Sequence, residues 1–160
     1  MNPHPASGSS HPRVLTYPPK SSSVAVARAD VMLWLDSLGG VSDDGRERVA
    51  LVVSELVTNA VEASPTDQDN VRVSLAWRND EALRLTVTNL NSGPAIPDTS
   101  NWAPADPSAE RGRGLGIVAA LADRVAVATV DDEISITAEF ATVDDHAIVD
   151  QHDLNEDPGA

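Results

Sequence analysis

The sequence contains no cysteine. That excludes disulfides and thiolate metal sites, and it suits a reducing compartment. Aromatic residues are scarce, with three Trp, one Tyr and one Phe among 160 residues, so a packed interior must be built from Val, Leu, Ile and Ala. Positive charge is short as well: 11 Lys and Arg stand against 25 Asp and Glu, for a net charge of −14. Nucleic acid is therefore not an expected partner, because phosphate contacts need clustered Lys and Arg. An anionic ligand of any kind would need local positive potential or backbone N–H donors to offset the global field. No apolar run approaches transmembrane length, and the N-terminus lacks a charged-then-apolar signal pattern. The expectation is a cytoplasmic protein without membrane contact.

What is present reads as one globular domain. Hydrophobic residues make up 41% and charged residues 22%, an ordinary balance for a chain long enough to bury a core. Residues 1–12 are Pro, Ser, Gly and His with few apolar groups, which predicts a disordered leader. Residues 144–160 hold six acidic side chains and no Lys or Arg, which predicts a solvated acidic tail. The folded domain is expected over 13–143.

Within it, Arg13–Tyr17 reads as a short strand closed by Pro18 and Pro19. Ser21–Ser23 can cap a helix from about Val24 to Leu38, where Val24, Ala27, Val31, Leu35 and Leu38 recur at helical spacing. A second helix is expected from Ser42 or Asp43 to about Ala63, ended by Pro65. Val71, Val73, Leu75 and Trp77 alternate with polar neighbours. Leu83, Leu85 and Val87 do the same after a turn at Asn79-Asp80, which predicts a hairpin. Residues 90–113 carry four prolines and two glycines with little periodicity, a loop longer than a connector needs. A third helix from about Leu115 to Asp123 and strands near Val125–Val130 and Ile134–Phe140 complete the domain, with a turn at Asp131-Asp132. This order implies an α/β protein of the two-layer α+β sandwich type, with a mixed, mostly antiparallel sheet and helices packed on one face.

Three segments carry chemistry. In Ser54-Glu55-Leu56-Val57-Thr58-Asn59-Ala60, Glu55 and Asn59 share one helix face. A carboxamide oxygen can ligate Mg²⁺, which takes oxygen donors and bridges to phosphate. A carboxylate one turn earlier could orient or deprotonate a nucleophile. The same pattern also fits a plain amphipathic helix with two polar residues at its border. In Arg111-Gly112-Arg113-Gly114-Leu115-Gly116, alternate glycines allow close backbone approach before a helix N-terminus, and two arginines add charge, which suits a triphosphate. Asn89-Leu90-Asn91-Ser92-Gly93-Pro94 ends a strand. Asn89 could hydrogen-bond an adenine edge, and the segment equally fits a simple turn.

Together these segments resemble the GHKL ATPases, also called histidine kinase-like or Bergerat ATPases, and most of all the bacterial anti-sigma-factor serine kinases. The resemblance runs from about Val14 to Phe140. It implies the Bergerat ATP-binding fold, with ATP and Mg²⁺ as cofactors. It implies Asn59 as the Mg²⁺-ligating asparagine and Glu55 as general base. Gly112, Gly114, Leu115 and Gly116 fall in the second glycine box, whose backbone meets the phosphates, and Arg111 or Arg113 reaches the terminal phosphate. Residues 92–113 correspond to the ATP lid. Asn89, Asn91 and Gly93 fall at the adenine-side box, where the family reads D-x-G and this chain reads Asn89-Leu90-Asn91. Glu62 stands near a position that is basic in many relatives. The implied function is transfer of the ATP γ-phosphate to a serine of an anti-anti-sigma-type partner, with sequestration of a sigma factor. The alternative is a degenerate binding module that sequesters a regulator without phosphorylating it. A homodimer through the first helix and a sheet edge is implied by analogy. Each of these readings requires residue 59 and residues 114–116 to face one another across a gap fit for a metal-bound triphosphate.

Overall fold

The computed structural model describes residues 12–38, 41–78, 82–91, 96 and 113–141. The expected leader (apart from Pro12), the acidic tail, the Asn79-Asp80 turn and nearly all of the long loop lie outside the described residues. So do Gly93, Arg111 and Gly112, and the side chain of Arg113.

Eight elements follow in order: β1 (Arg13–Tyr17), α1 (Ser22–Leu38), α2 (Asp43–Ala63), β2 (Val71–Arg78), β3 (Ala82–Leu90), α3 (Arg113–Leu121), β4 (Arg124–Val130) and β5 (Glu133–Ala141). Helix α1 starts two residues before the expected Val24 and buries Ser23, Ala27, Val31 and Leu35, one stripe at a spacing of four. The Ser23 hydroxyl donates to the Pro18 carbonyl at 2.7 Å, which ties the helix start to the strand that precedes it.

Helix α2 is the hub. Ser42 is its N-cap, accepting from the Gly45 N–H at 3.0 Å. Asp43 and Asp44 fill its first turn, where negative charge complements the helix dipole. Val49, Val52, Val53, Leu56, Val57 and Ala60 are buried, and α2 packs on α1, α3 and the sheet.

The sheet runs β1-β2-β3-β5-β4. All four pairings are antiparallel among the described residues, so the expected antiparallel character holds without the parallel component of a mixed sheet. Strict alternation puts Val71, Val73 and Leu75, then Leu83, Leu85 and Val87, then Ile134, Ile136 and Ala138 in the core. The opposite face carries hydroxyl and ion pairs: Thr86 with Thr137 at 2.9 Å, Thr88 with Ser135 at 2.7 Å, Arg84 with Glu139 at 2.7 Å and Arg72 with Glu133 at 2.8 Å. Polar residues out and aliphatic residues in fix the register of each strand, because a one-residue slip would exchange the two faces.

Helix α3 is fastened at its C-terminus by Arg48 of α2, which donates from Nε and Nη2 to the Leu121 carbonyl at 3.0 and 2.5 Å. The same guanidinium lies 5.8 Å from the centre of the Phe140 ring and 3.6 Å from Asp123. One cation thus satisfies an end-of-helix carbonyl that has no acceptor role within α3 and joins α2, α3 and β5.

Candidate nucleotide site between α2, α3 and the sheet

A cavity of about 430 Å³ opens between α2, the inner face of β3 and β5, and the start of α3. Its walls are apolar, with Leu56 and Ala60 from α2, Val87, Ile134 and Ile136 from the sheet, and Leu115 and Ile96 on the loop side. Polar groups enter at a few points: Asn59, Glu62 and Ser64 from α2 and its end, and Asn89 and Asn91 from the end of β3. An apolar slot with a few convergent polar groups is the usual form of a small-molecule site.

The positions follow from local sequence. Asn59 lies on α2 between the core residues Leu56 and Ala60, so its side chain emerges at the helix border and is half-buried. Asn89 continues the inward row of β3 and is 8% exposed. Its Nδ2 donates to the Leu90 carbonyl at 2.8 Å. That bond fixes the carboxamide, because the flipped form would set two oxygens against each other. The Asn91 N–H donates to the Asp132 carbonyl at 2.8 Å, which ties the end of β3 to the β4–β5 turn.

Helix α3 begins at Arg113, two residues before the expected start, so Gly114 and Gly116 belong to the helix rather than to a loop before it. The N–H groups of its first turn, Arg113, Gly114 and Leu115, have no acceptor inside the helix. A Cβ added at Gly114 would stand 2.5 Å from Glu55 Oε2 and 3.4 Å from Asn59 Nδ2. Residues 59 and 114 therefore do face each other. At Gly114 they meet without an intervening gap, and the open space lies beside that contact, bounded by Asn59 and Leu115. Gly116 is buried and lies away from the cavity wall.

The structure thus brings Asn59, Asn89, Asn91 and Leu115 around one cavity and sets Glu55 with Gly114 just beyond its edge. The apolar lining was legible only in part. Leu56 and Ala60 read from sequence as residues of the second helix and Ile134 as part of a strand, with nothing to show that they also wall a pocket. Ile96 stands in the proline-rich loop as an isolated aliphatic residue, the one signal that could have marked it. Among the described residues no group of three or more His, Cys, Asp and Glu could hold a metal ion by itself. A Mg²⁺ ion bound by one carboxamide, water and phosphate oxygens needs no such group, and the half-buried Asn59 beside the open space fits that donor set.

The family model of the histidine kinase-like ATPase domain matches residues 17–139. Among solved structures, the RsbU and RsbW domains of Rv1364c from Mycobacterium tuberculosis superpose with a TM-score of 0.61 at 18% identity, over 82% of this chain and 32% of that one. This chain thus spans about a third of that protein's length. The SiaB-SiaC complex from Pseudomonas aeruginosa contains a chain with a TM-score of 0.62 at 15% identity, covering 80% of this chain and 88% of that one. At such identities the likeness is one of fold. No curated protein matches the chain.

Proposed function

The chain belongs to the histidine kinase-like ATPase domain family, and from that premise we propose that it binds Mg·ATP and transfers the γ-phosphate to a serine of an anti-anti-sigma-type protein partner. The observation that carries the reading is one apolar cavity lined by Asn59 and Leu115 together with Asn89 and Asn91. Adenine fits between the aliphatic walls. The fixed Asn89 carboxamide leaves its Oδ1 to accept from the exocyclic amino group. The triphosphate runs toward the first turn of α3, whose backbone N–H groups and positive dipole end favour anions. That local donor set is what an otherwise acidic chain needs to hold a nucleotide.

Asn59 Oδ1 holds the Mg²⁺, which when bound neutralises charge on the phosphate oxygens. Glu55 accepts the proton of the partner's serine hydroxyl as its oxygen attacks phosphorus, and ADP leaves with the bridging oxygen's electron pair. The absence of a side chain at Gly114 leaves room for the Glu55 carboxylate beside the first turn of α3. The two similar structures pair RsbU with RsbW domains and SiaB with SiaC, which supports a protein partner, and we extend that to a sigma factor held by the same domain. Among the described residues no helix is long and apolar enough to cross a membrane, and we place the reaction in the cytoplasm.

A second reading is a binding module that sequesters its partner with nucleotide as a weak modulator. It is favoured by neutral Asn89 at the adenine end and by the exposed acidic Glu62 on the cavity wall. Calorimetry with Mg·ATP separates the two. Micromolar affinity, lost in Asn59→Ala, supports the kinase. Absence of binding at millimolar ATP supports the module, and failure of labelled phosphate to reach a tightly bound partner would remove the kinase claim.

A further inference from the structure

We propose that Leu51 of α2 and Ile117 of α3 form the apolar anchor of a docking surface for a protein partner whose own contact segment is apolar and flanked by Lys and Arg. That this partner is also the phosphate acceptor rests on the phosphotransfer reading above; the surface itself does not. The two side chains stand on one seam. Leu51 is 51% exposed and Ile117 36%. Helix α3 is fixed to α2 at two points: Gly114 lies against Glu55, and the Leu121 carbonyl takes the bonds from Arg48. Ile117 falls between Gly114 and Leu121, three and four residues from them, on the same side of α3. Leu51 falls between Arg48 and Glu55 in the same way on α2. The two helices run antiparallel along this seam, so Leu51 and Ile117 stand at one level, about one turn or roughly 6 Å from the Glu55–Gly114 contact.

The ridge of α2 that carries Leu51 is acidic. Asp44, Glu47, Leu51, Glu55, Thr58 and Glu62 recur at three and four residues on the outer face of the helix. Among the described residues none of the four carboxylates makes an ion pair. Both arginines of α2 are turned to its flanks, Arg46 to Asp36 of α1 and Arg48 to α3. The open face of the sheet is built the other way, with Glu133 on Arg72 and Glu139 on Arg84. An apolar centre in an unbalanced acidic frame is complementary to a basic amphipathic surface. It is not complementary to itself, because a second copy would set these carboxylates against each other, and the net charge of −14 adds to the repulsion.

Position gives the surface its role. Glu55 is half-buried, with α3 on one side and this ridge on the other. A serine hydroxyl that reaches its carboxylate comes with the segment that carries it, and that segment lies over Leu51 and Ile117. The apolar pair holds the segment in place, while the acids around it steer its approach. The first acts on the lifetime of the complex and the second on its rate of formation.

The test uses the full chain with a photo-crosslinking amino acid at position 51, and at the exposed Val130 on the sheet edge as control, in extract of the source cells with γ-labelled Mg·ATP. One protein should both take the label and cross-link from position 51, and not from position 130. With that protein purified, Leu51→Gln with Ile117→Gln should raise its KM about tenfold or more. Both sites are exposed, and glutamine is neutral and a good helix former, so kcat, Mg·ATP affinity and melting temperature should stay in place. Rising salt should weaken the partner's binding, and Glu47→Gln should flatten that dependence. A KM unchanged in the double variant overturns the proposal. So does cross-linking from position 51 to another copy of this chain, or no cross-link there at all. A cross-linked partner that binds the double variant about tenfold more weakly, yet takes no label, upholds the docking surface and removes the phosphotransfer reading instead.

Discussion

Gly114 at the start of α3 lies against Glu55 of α2 so closely that a single added carbon would stand 2.5 Å from the Glu55 Oε2 atom. The carboxylate is the far end of a flexible, half-buried side chain, so it can move aside at little cost. Replacing glycine also lowers the entropy of the unfolded chain, by about 0.4–1 kcal/mol where the backbone accepts a side chain. Gly114→Ala should therefore keep or slightly raise the melting temperature. If Glu55 is the general base, the same change should slow phosphotransfer on the order of 10²-fold, the scale of a misplaced base. Glu55→Gln should do likewise with ATP affinity retained. A Gly114→Ala protein with full transfer activity would show that the contact has no bearing on the reaction.

Asn89→Asp should move affinity and stability in opposite directions. A charged acceptor for the adenine amino group should tighten Mg·ATP binding roughly tenfold, since a charge-assisted bond exceeds a neutral one by about 1 kcal/mol or more. The same change removes the Nδ2 donor and sets a carboxylate oxygen against the Leu90 carbonyl, now 2.8 Å from Nδ2. With Asn89 only 8% exposed, losing that bond and setting the two oxygens together costs about 1–3 kcal/mol. Calorimetry and thermal melting of one preparation read both effects. A lower affinity together with a lower melting temperature would mean that Asn89 is structural and not a base reader.

Arg48→Met should destabilise the domain more than an exposed substitution would. It removes both bonds to the Leu121 carbonyl and the contact with Phe140, about 1–3 kcal/mol for a carbonyl left without its charged donor. For a domain of this size that corresponds to a fall in melting temperature of roughly 2–4 °C per kcal/mol. Arg48→Lys should recover only part, because a lysine cannot present two parallel donors to one oxygen. Hydrogen exchange should show the loss concentrated in α3.

The sequence made some of this architecture plain and hid the rest for identifiable reasons. The alternation in Val71, Val73, Leu75 and in Leu83, Leu85, Val87 marks strands because the period of two is local, and the wide aliphatic face of α2 is equally local. The start of α3 was misplaced by two residues because glycines at 114 and 116 argue against a helix by propensity. The packing of Gly114 against Glu55 and Asn59 joins residues distant in sequence and gives no local signal. The role of Arg48 was invisible for the same reason, since its acceptor lies 73 positions along the chain. Asn59 and Asn89 were legible as polar residues at the edges of aliphatic elements. That the same aliphatic residues enclose a cavity between them depends on how α2 sits on the sheet.

Tyr17 should make the fold sensitive to alkali. Its hydroxyl donates to Asp30 Oδ2 at 2.8 Å, and the residue is 6% exposed. Burial first, then the hydrogen bond and the negative charge of Asp30, push the phenol well above its ordinary value, and Arg13 opposes only in part. The folded chain thus holds this proton more tightly than the unfolded chain does. The resulting stability is complete below the unfolded phenol value near 10 and is lost progressively as pH climbs above it toward the folded value. Denaturant midpoints should therefore fall from about pH 10 upward in the wild type. Tyr17→Phe should start lower at neutral pH by about 0.5–1.5 kcal/mol for the lost bond and should lack that alkaline slope. Because Tyr17 joins β1 to α1, away from the cavity, Mg·ATP affinity at neutral pH should be the same in both proteins. An equal alkaline slope in the two would place the titrating group elsewhere.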